Sequence, residues 1–186
     1  MHAGHDTVGV VLAGGRSSRM GQDKAALPWN GQSLLAHMQQ VLCEAGVSRV
    51  VLSGRHPQAV SDRIPELGPL GGLASVAETL PDGFLLVVPV DTPLASPGLL
   101  RFLCTQATGS NAACVCFEGQ PLPLWLRLCP ATRSVLAELL AGPAQGRSLR
   151  ALHAALSGQT LALPAAWSGQ LRDADTPADW RALCAG

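Results

Sequence analysis

The 186-residue sequence predicts an α/β protein in three layers, a mostly parallel sheet with helices on both faces (αβα). Three observations lead there. Apolar runs of strand length, such as 8–12 and 84–90, alternate with longer segments whose apolar residues recur at helical spacing. No repeat, low-complexity tract or linker divides the chain, so residues 1–186 are expected to form one domain, a length suited to a single core. Apolar residues make up 47% of the chain, which excludes wholesale disorder.

The elements follow in order. Val8-Gly9-Val10-Val11-Leu12 is too short for a helix and reads as a buried strand. Ser33 is placed to cap a helix whose apolar positions Leu34, Leu35, Met38, Val41, Leu42 and Ala45 fit a 3.6-residue period, and Gly46 is placed to end it. On that helix His37 reads as a packing or surface residue. A second strand is expected over 47–52. Ser53-Gly54-Arg55-His56-Pro57 breaks the pattern, and Asp62 precedes a turn-rich run ending in Gly68-Pro69-Leu70-Gly71-Gly72-Leu73. A helix is expected after it, through Leu73, Val76, Ala77 and Leu80. Residues 84–90 form the most apolar strand; Pro89 removes a ladder donor near its end. Ser96-Pro97 opens a helix with cap and N1 proline in their usual order. A strand covers about 112–117, and Leu122, Leu124, Leu126 and Leu128 alternate with Pro123, Trp125 and Arg127 as a period-two strand. Helices are expected at 130–141 and 148–156, a short strand at 160–163, and a final helix opening at Thr176-Pro177 with Asp179 in its first turn.

In sheets of this kind ligands gather at the carboxyl ends of the strands. The first strand leads into LAGGRSSRMGQDK, residues 12–24. Gly14, Gly15 and Gly21 let backbone amides approach a ligand closely, successive amides form a concavity for anions, and Arg16, Arg19 and Lys24 add positive charge. Lys24 is the only lysine in the chain, against 12 arginines, which points to a need for a compact point charge rather than a planar one. The bland alternative is a tight turn with solvated arginines. The spacing is neither G-x-G-x-x-G nor G-x-x-x-x-G-K-[ST], so the dinucleotide fingerprint and the P-loop are both excluded, and a nicotinamide-dependent oxidoreductase with the former. At the end of the most apolar strand stands Asp91, in Pro89-Val90-Asp91-Thr92-Pro93. Its carboxylate either caps the following turn or holds Mg²⁺, which takes a few carboxylate oxygens together with phosphates and water.

Leu12-Ala13-Gly14-Gly15, Arg19-Met20-Gly21 and Asp23-Lys24 together resemble the signature of the MobA-like nucleotidyltransferases, and most closely that of the molybdenum cofactor guanylyltransferases. Leu27-Pro28, Gly31 and Leu34-Leu35 continue the pattern, and P-x-D-x-P around Asp91 is similar to the family's magnesium motif. The resemblance implies a Rossmann-like nucleotidyltransferase fold and transfer of GMP from GTP to a molybdopterin phosphate, with pyrophosphate released. It further implies that Leu12, Ala13, Gly14 and Gly15 cradle the nucleotide, that Lys24 and Arg19 hold the triphosphate, and that Asp91 carries Mg²⁺. A phosphate monoester is itself nucleophilic, so positioning and charge stabilisation supply the catalysis. Asp62 resembles the family's aspartate near the guanine pocket, where a carboxylate accepts from N1–H and the exocyclic amine together; the alternative is an exposed turn aspartate.

Three departures stand beside the resemblance. Relatives often carry asparagine after the second strand, where this chain has Ser53-Gly54. The segment from His56 to Leu67 is shorter than usual. Near the C-terminus Asp173-Ala174-Asp175-Thr176-Pro177 stands in place of N-x-N-T-P and is more typical of cytidylyltransferase relatives; its acids are candidates for a second metal or for acceptor choice, or simply flank a helix cap. Gln120-Pro121-Leu122-Pro123-Leu124 resembles the acceptor-side strand of the guanylyltransferases. The competing functions are therefore the same chemistry with CTP, giving a cytosine dinucleotide, and a non-catalytic molybdenum cofactor carrier, against which the intact Lys24 and Asp91 argue.

Composition bounds the partners. A formal net charge of zero gives no electrostatic support for nucleic-acid or membrane-surface binding; it is the resemblance that implies GTP and molybdopterin as partners, with transient contact to molybdopterin-handling proteins. The six cysteines form no C-x-x-C and read as reduced core residues of a cytoplasmic protein; Cys114 and Cys116 would share one strand face. The N-terminus shows no signal-peptide pattern, and no apolar run reaches the length of a membrane span. His2 and His5 read as residues of a frayed terminus.

Overall fold

A computed structural model describes residues 6–14, 23–63 and 67–184. Six strands form one mixed, mostly parallel sheet in the order β4-β1-β5-β7-β6-β8: β1 (Thr7–Leu12), β4 (Arg49–Ser53), β5 (Gly83–Pro89), β6 (Cys114–Phe117), β7 (Gln120–Leu128) and β8 (Gln159–Leu161). β1 pairs in parallel with β4 and β5, β6 with β8, and β7 alone runs antiparallel to its neighbours β5 and β6. Both faces are covered, which gives the αβα layering expected. Successive strand side chains point to opposite faces, and the core divides accordingly. Val8, Val10, Leu12, Leu85 and Val87 pack with α2 (Gly68–Thr79), α4 (Pro130–Ala141) and α5 (Leu149–Ala155). Val11, Leu86 and Val88 pack on the other face with α1 (Leu34–Ala45), α3 (Pro97–Thr108) and α6 (Pro177–Cys184).

The helix signals are realised chemically. Ser33 Oγ accepts from the Ala36 amide and Ser96 Oγ from the Leu99 amide, each quieting an orphan N–H of the first turn. Thr176 and Asp179 form a reciprocal capping pair: Asp179 Oδ2 accepts from the Thr176 amide at 2.8 Å and Thr176 Oγ1 from the Asp179 amide at 3.2 Å. Gly46 ends α1 in the left-handed region (φ 96°), and the Val47 amide returns to the Leu42 carbonyl. That bond ties Val47 to the helix end, so β4 starts at Arg49 rather than at 47. His37 Nε2 donates to the Pro93 carbonyl at 2.8 Å and fastens α1 to the loop after β5, a packing role.

Four expectations are corrected. The glycine run 68–73 forms the first turns of α2 instead of preceding it: Pro69 fits the opening turn, and the missing side chains of Gly71 and Gly72 admit Leu67 and Ser53 close to the helix. A small hairpin absent from the sequence reading, β2 (Pro28–Trp29) with β3 (Gln32–Ser33), turns at Asn30 and Gly31, both at positive φ. β6 and β8 are trimmed to 114–117 and 159–161. All six cysteines are free; Cys114 and Cys116 are buried on the α2 face and Cys104 packs against the core on the other, but Cys43 and Cys184 are exposed and Cys129 is half-buried, so the core reading fails for those three. Burial pushes the Cys114 thiol up to about 12, which leaves it inert. No helix among the described residues is long and apolar enough to cross a membrane.

Candidate functional site

Three chain segments converge at the carboxyl ends of β1 and β5. The Val90 amide donates to the Leu12 carbonyl, holding the exits of the two strands side by side. The Ala174 amide donates to the Asp91 carbonyl at 3.0 Å, so the D-x-D segment is stitched to the end of β5 by its middle residue. Asp23 Oδ1 accepts from the Ala25 amide and caps a one-turn 3₁₀ helix, Lys24–Ala26, which fixes where Lys24 departs from the backbone. Because β7 runs against its neighbours, its first residues reach the same rim. The result is a cleft of about 310 Å³, walled by Leu12, Ala13 and Gly14 on one side, Lys24 and Asp91 on its floor, and Gln120, Pro121 and Leu122 opposite.

Lys24 is the electrostatic centre. Its ammonium donates to Asp91 Oδ2 at 2.7 Å and to Asp175 Oδ1 at 2.8 Å. Only 14% of the Lys24 side chain is exposed, against 20% for Asp91 and 52% for Asp175. Burial acts to lower the Lys24 pKa, but the bonds to Asp175 and Asp91 outweigh it, and the ammonium stands above its ordinary 10.5. It is therefore charged throughout the physiological range. Asp173 lines the same cleft. Burial, then the charges of Asp175 and Asp91, hold its carboxyl above the usual carboxylate range. A carboxyl with a folded pKa raised above 3.8 costs stability once ionised; the cost is absent below the unfolded value and grows as pH rises past it. Asp173→Asn is accordingly expected to raise Tm at pH 7, with the gain shrinking as pH falls towards 4, as thermal denaturation at the two pH values would read.

Leu12, Ala13, Gly14, Lys24 and Asp91 are thus brought together by the fold. Gly15 and Arg19, and with them Arg16, Gly21 and the two N-terminal histidines, lie outside the described residues. Asp62 is placed differently: it does not line the cleft but stands behind Gly14, where a Cβ on Gly14 would sit 3.7 Å from its Oδ2. The bridge between Ser53 and Val60, and the Arg63 amide donating to Ser75 Oγ on α2, fix the chain on either side of it. Burial raises the Asp62 pKa, with Arg55 acting in the opposite direction.

Some contributors carried no clear signal in the sequence. Pro69 and Leu171 line the cleft from segments whose composition points elsewhere. Gly54 reads in the sequence as part of a pattern break and of a departure from relatives, yet it sits at φ 138°, and a Cβ there would meet the Gly14 nitrogen at 2.8 Å and the Ala13 carbonyl carbon at 2.9 Å. A side chain at this position would force the Ala13-Gly14 backbone out of place, and the exceptional φ is the reason glycine occupies it.

The site has the donors for a divalent cation. Among the described residues, Asp91, Asp173 and Asp175 offer hard carboxylate oxygens around the one ammonium of Lys24. Among the described residues no three acidic, histidine or cysteine side chains converge as a ready-made cage, which suits a cation completed by substrate phosphates and water rather than one caged by protein alone.

Comparison with known proteins places this geometry in a family. Residues 9–161 match the MobA-like NTP transferase domain. The chain is 49% identical over 178 residues to a Xanthomonas euvesicatoria protein named molybdenum cofactor guanylyltransferase, covering 94% of this chain and 93% of that one. A Mycobacterium avium protein named probable molybdenum cofactor guanylyltransferase is 36% identical, again covering 94% and 93%. The crystal structure of molybdopterin-guanine dinucleotide biosynthesis protein A from Archaeoglobus fulgidus superposes with a TM-score of 0.74 at 16% identity, over 96% of this chain and 98% of that one, a likeness of fold. A matched domain that runs through both walls of the cleft, with relatives aligned over almost all of their length, establishes that the chain belongs to the MobA-like NTP transferase family of nucleotidyltransferases, which use a divalent metal.

Proposed function

We propose that this enzyme, with residues 1–186 acting as one catalytic domain, transfers GMP from GTP to the terminal phosphate of molybdopterin and forms the guanine dinucleotide of the molybdenum cofactor. The 49% identity to a protein of that name supports the substrate pair. The observation that carries the chemistry is the meeting of Lys24 and Asp91 at 2.7 Å on the floor of a cleft edged by Ala13 and Gly14.

In this reading a molybdopterin phosphate oxygen attacks the α-phosphorus of GTP in line, and the bond to the β-phosphate oxygen breaks. The nucleophile is already anionic at neutral pH, so no general base is required of the protein. Lys24 supplies a fixed positive charge to the phosphates, and its position is held before substrate arrives by Asp91 and Asp175. The backbone at Ala13-Gly14, kept in shape by Gly54, receives the nucleotide from one side, and Arg19 is the further cation assigned to the triphosphate. The Gln120–Leu122 wall receives the acceptor. Asp91, flanked by Asp173 and Asp175, is the residue that would hold Mg²⁺, which would supply positive charge to the phosphates.

Asp62 is assigned to the base. Its Oδ2, the oxygen on the Gly14 side, carries two lone pairs and can accept from both the N1–H and the amine of guanine, whereas cytosine offers its amine alone. Asp62→Ala is expected to raise KM for GTP roughly tenfold or more with kcat little changed, the loss typical of a charge-assisted hydrogen-bonded contact. Unchanged GTP kinetics would remove Asp62 from the site.

The decisive assay supplies molybdopterin, Mg²⁺ and each of the four nucleoside triphosphates, and identifies the dinucleotide and pyrophosphate by mass spectrometry. The guanine dinucleotide is the expected product. Preference for CTP would overturn the base assignment in favour of the cytidylyl chemistry that the Asp173-x-Asp175 pattern resembles. Binding without turnover of any of the four would favour a carrier.

A further inference from the structure

Among the described residues, three buried side-chain polar atoms have no hydrogen-bond partner, and two of them, Ser53 Oγ and Asp62 Oδ1, lie beside the same glycine of α2, Gly72. Native proteins rarely leave such atoms orphaned, so a neighbouring pair of them calls for a functional explanation. A Cβ on Gly72 would stand 2.4 Å from Ser53 Oγ and 3.4 Å from Asp62 Oδ1, so the absent side chain is what lets the hydroxyl and the carboxylate share one small space. Ser53 is 1% exposed, too deep to touch a nucleotide in the cleft. The other carboxylate oxygen, Oδ2, points the opposite way, towards Gly14.

We propose that Ser53 is the positioning residue for Asp62: its hydroxyl donates to Oδ1 when the nucleotide is bound, so that Oδ2 is the oxygen presented to the base. The inference rests on the assignment of Asp62 to guanine and extends it to the group behind the carboxylate. The chemistry fits in both directions. A serine hydroxyl rotates freely and supplies one donor, and an ionised carboxylate only accepts. With one oxygen satisfied from behind, the carboxylate has a defined orientation and stays ionised despite its burial. The backbone couples the movement to the ligand. The Ser53 carbonyl accepts from the Ala13 amide at 2.8 Å, and the Gly54 amide donates to Val60, two residues before Asp62. A nucleotide settling against Ala13-Gly14 therefore presses on the very strand end that carries Ser53. The same logic explains why a small residue stands at position 53 while glycines stand at 54 and 72.

A double-mutant cycle tests this. Ser53→Ala is expected to raise KM for GTP roughly tenfold with kcat within about twofold of wild type, the size expected for one hydrogen bond to a charged group. In an Asp62→Ala background the same change should raise KM by less than about twofold, because the residue through which it acts is gone. Gly72→Ala drives a methyl group between the two side chains; it should reproduce the KM rise, and serves as the second variant if Ser53→Ala does not fold. Additive effects of the two single changes, a KM unmoved in both Ser53→Ala and Gly72→Ala, or a loss confined to kcat would each overturn the proposal. The underlying assignment is separable from it. If Asp62→Ala alone leaves KM for GTP unchanged, base recognition by Asp62 falls and this proposal with it, whereas a raised KM in Asp62→Ala beside a silent Ser53→Ala refutes the role of Ser53 only.

Discussion

Lys24→Met is expected to lower kcat/KM for GTP by roughly 10²–10³-fold, the usual cost of removing one preorganised charge from a site where phosphate charge is stabilised. Methionine keeps the apolar stem and deletes the ammonium, so packing around the 14%-exposed side chain is preserved. Deletion leaves Asp91 and Asp175 without the cation that each now contacts within 2.8 Å, with Asp173 nearby. The surplus negative charge repels the triphosphate as well as failing to hold it, which is why both kcat and KM should suffer. Lys24→Arg distinguishes charge from geometry. Its planar fork is a poor substitute for a point charge held between two carboxylates, so it should recover Tm but little activity. Steady-state kinetics with thermal melts on the three proteins reads the outcome. A Lys24→Met enzyme retaining a third of wild-type kcat/KM would falsify the placement of Lys24 at the phosphates.

The second large effect is expected at Asp91. Asp91→Asn removes one charge and no volume. A divalent cation at a transferring phosphate is worth several kcal/mol, and at about 1.36 kcal/mol per tenfold its loss lowers the rate on the order of 10³-fold. The backbone of residue 91 should stay in place, since its carbonyl rather than its side chain holds Ala174. Raising the Mg²⁺ concentration should restore part of the rate if the asparagine oxygen still ligates weakly. The control is a metal titration of both proteins in the presence of a non-hydrolysable GTP analogue. Equal metal affinity in the two would transfer the metal to other residues, with Asp173 and Asp175 the next to examine.

The two experiments address different halves of one charge balance. Lys24 pairs with Asp91 and Asp175 in the free protein; in the function proposed it would turn to the phosphates of the substrate, which would free Asp91 for a cation. Wild-type protein should accordingly bind metal more tightly with nucleotide than without it, because phosphate then competes with Asp91 for the ammonium. A linkage of this kind is reciprocal, and nucleotide affinity should rise with metal by the same factor.

Much of this was legible in the chain before any coordinates. The apolar run 8–12 reads as a buried strand, and the structure buries it on both faces, Val8, Val10 and Leu12 on one and Val11 on the other, because strand side chains alternate. Ser33, Ser96 and Thr176 marked helix starts because capping is settled within three or four residues. The solitary lysine and the aspartate closing the most apolar strand marked the two ends of the site. Local signals misled where long-range packing overrode them. Gly68 to Leu73 carries the residues of a turn, but Pro69 also opens a helix well, and Leu67 and Ser53 press where Gly71 and Gly72 have no side chain. Cys43 sits among helix residues that read as apolar, yet its position on α1 faces outward.

What the amino-acid sequence determined alone was therefore what is decided by neighbours: the main strands, the helix caps and the identity of the charged groups. Only the tertiary structure could decide which charges meet. Asp91 and Asp175 lie 67 and 151 residues from Lys24 along the chain, and their common contact depends on the Ala174–Asp91 backbone bond and on the parallel register of β1 and β5. The same holds for Ser53, Asp62 and Gly72, whose proximity nothing in the sequence announces. Their shared space exists because a strand end, a loop and a helix are packed together, and a local pattern holds no record of such packing.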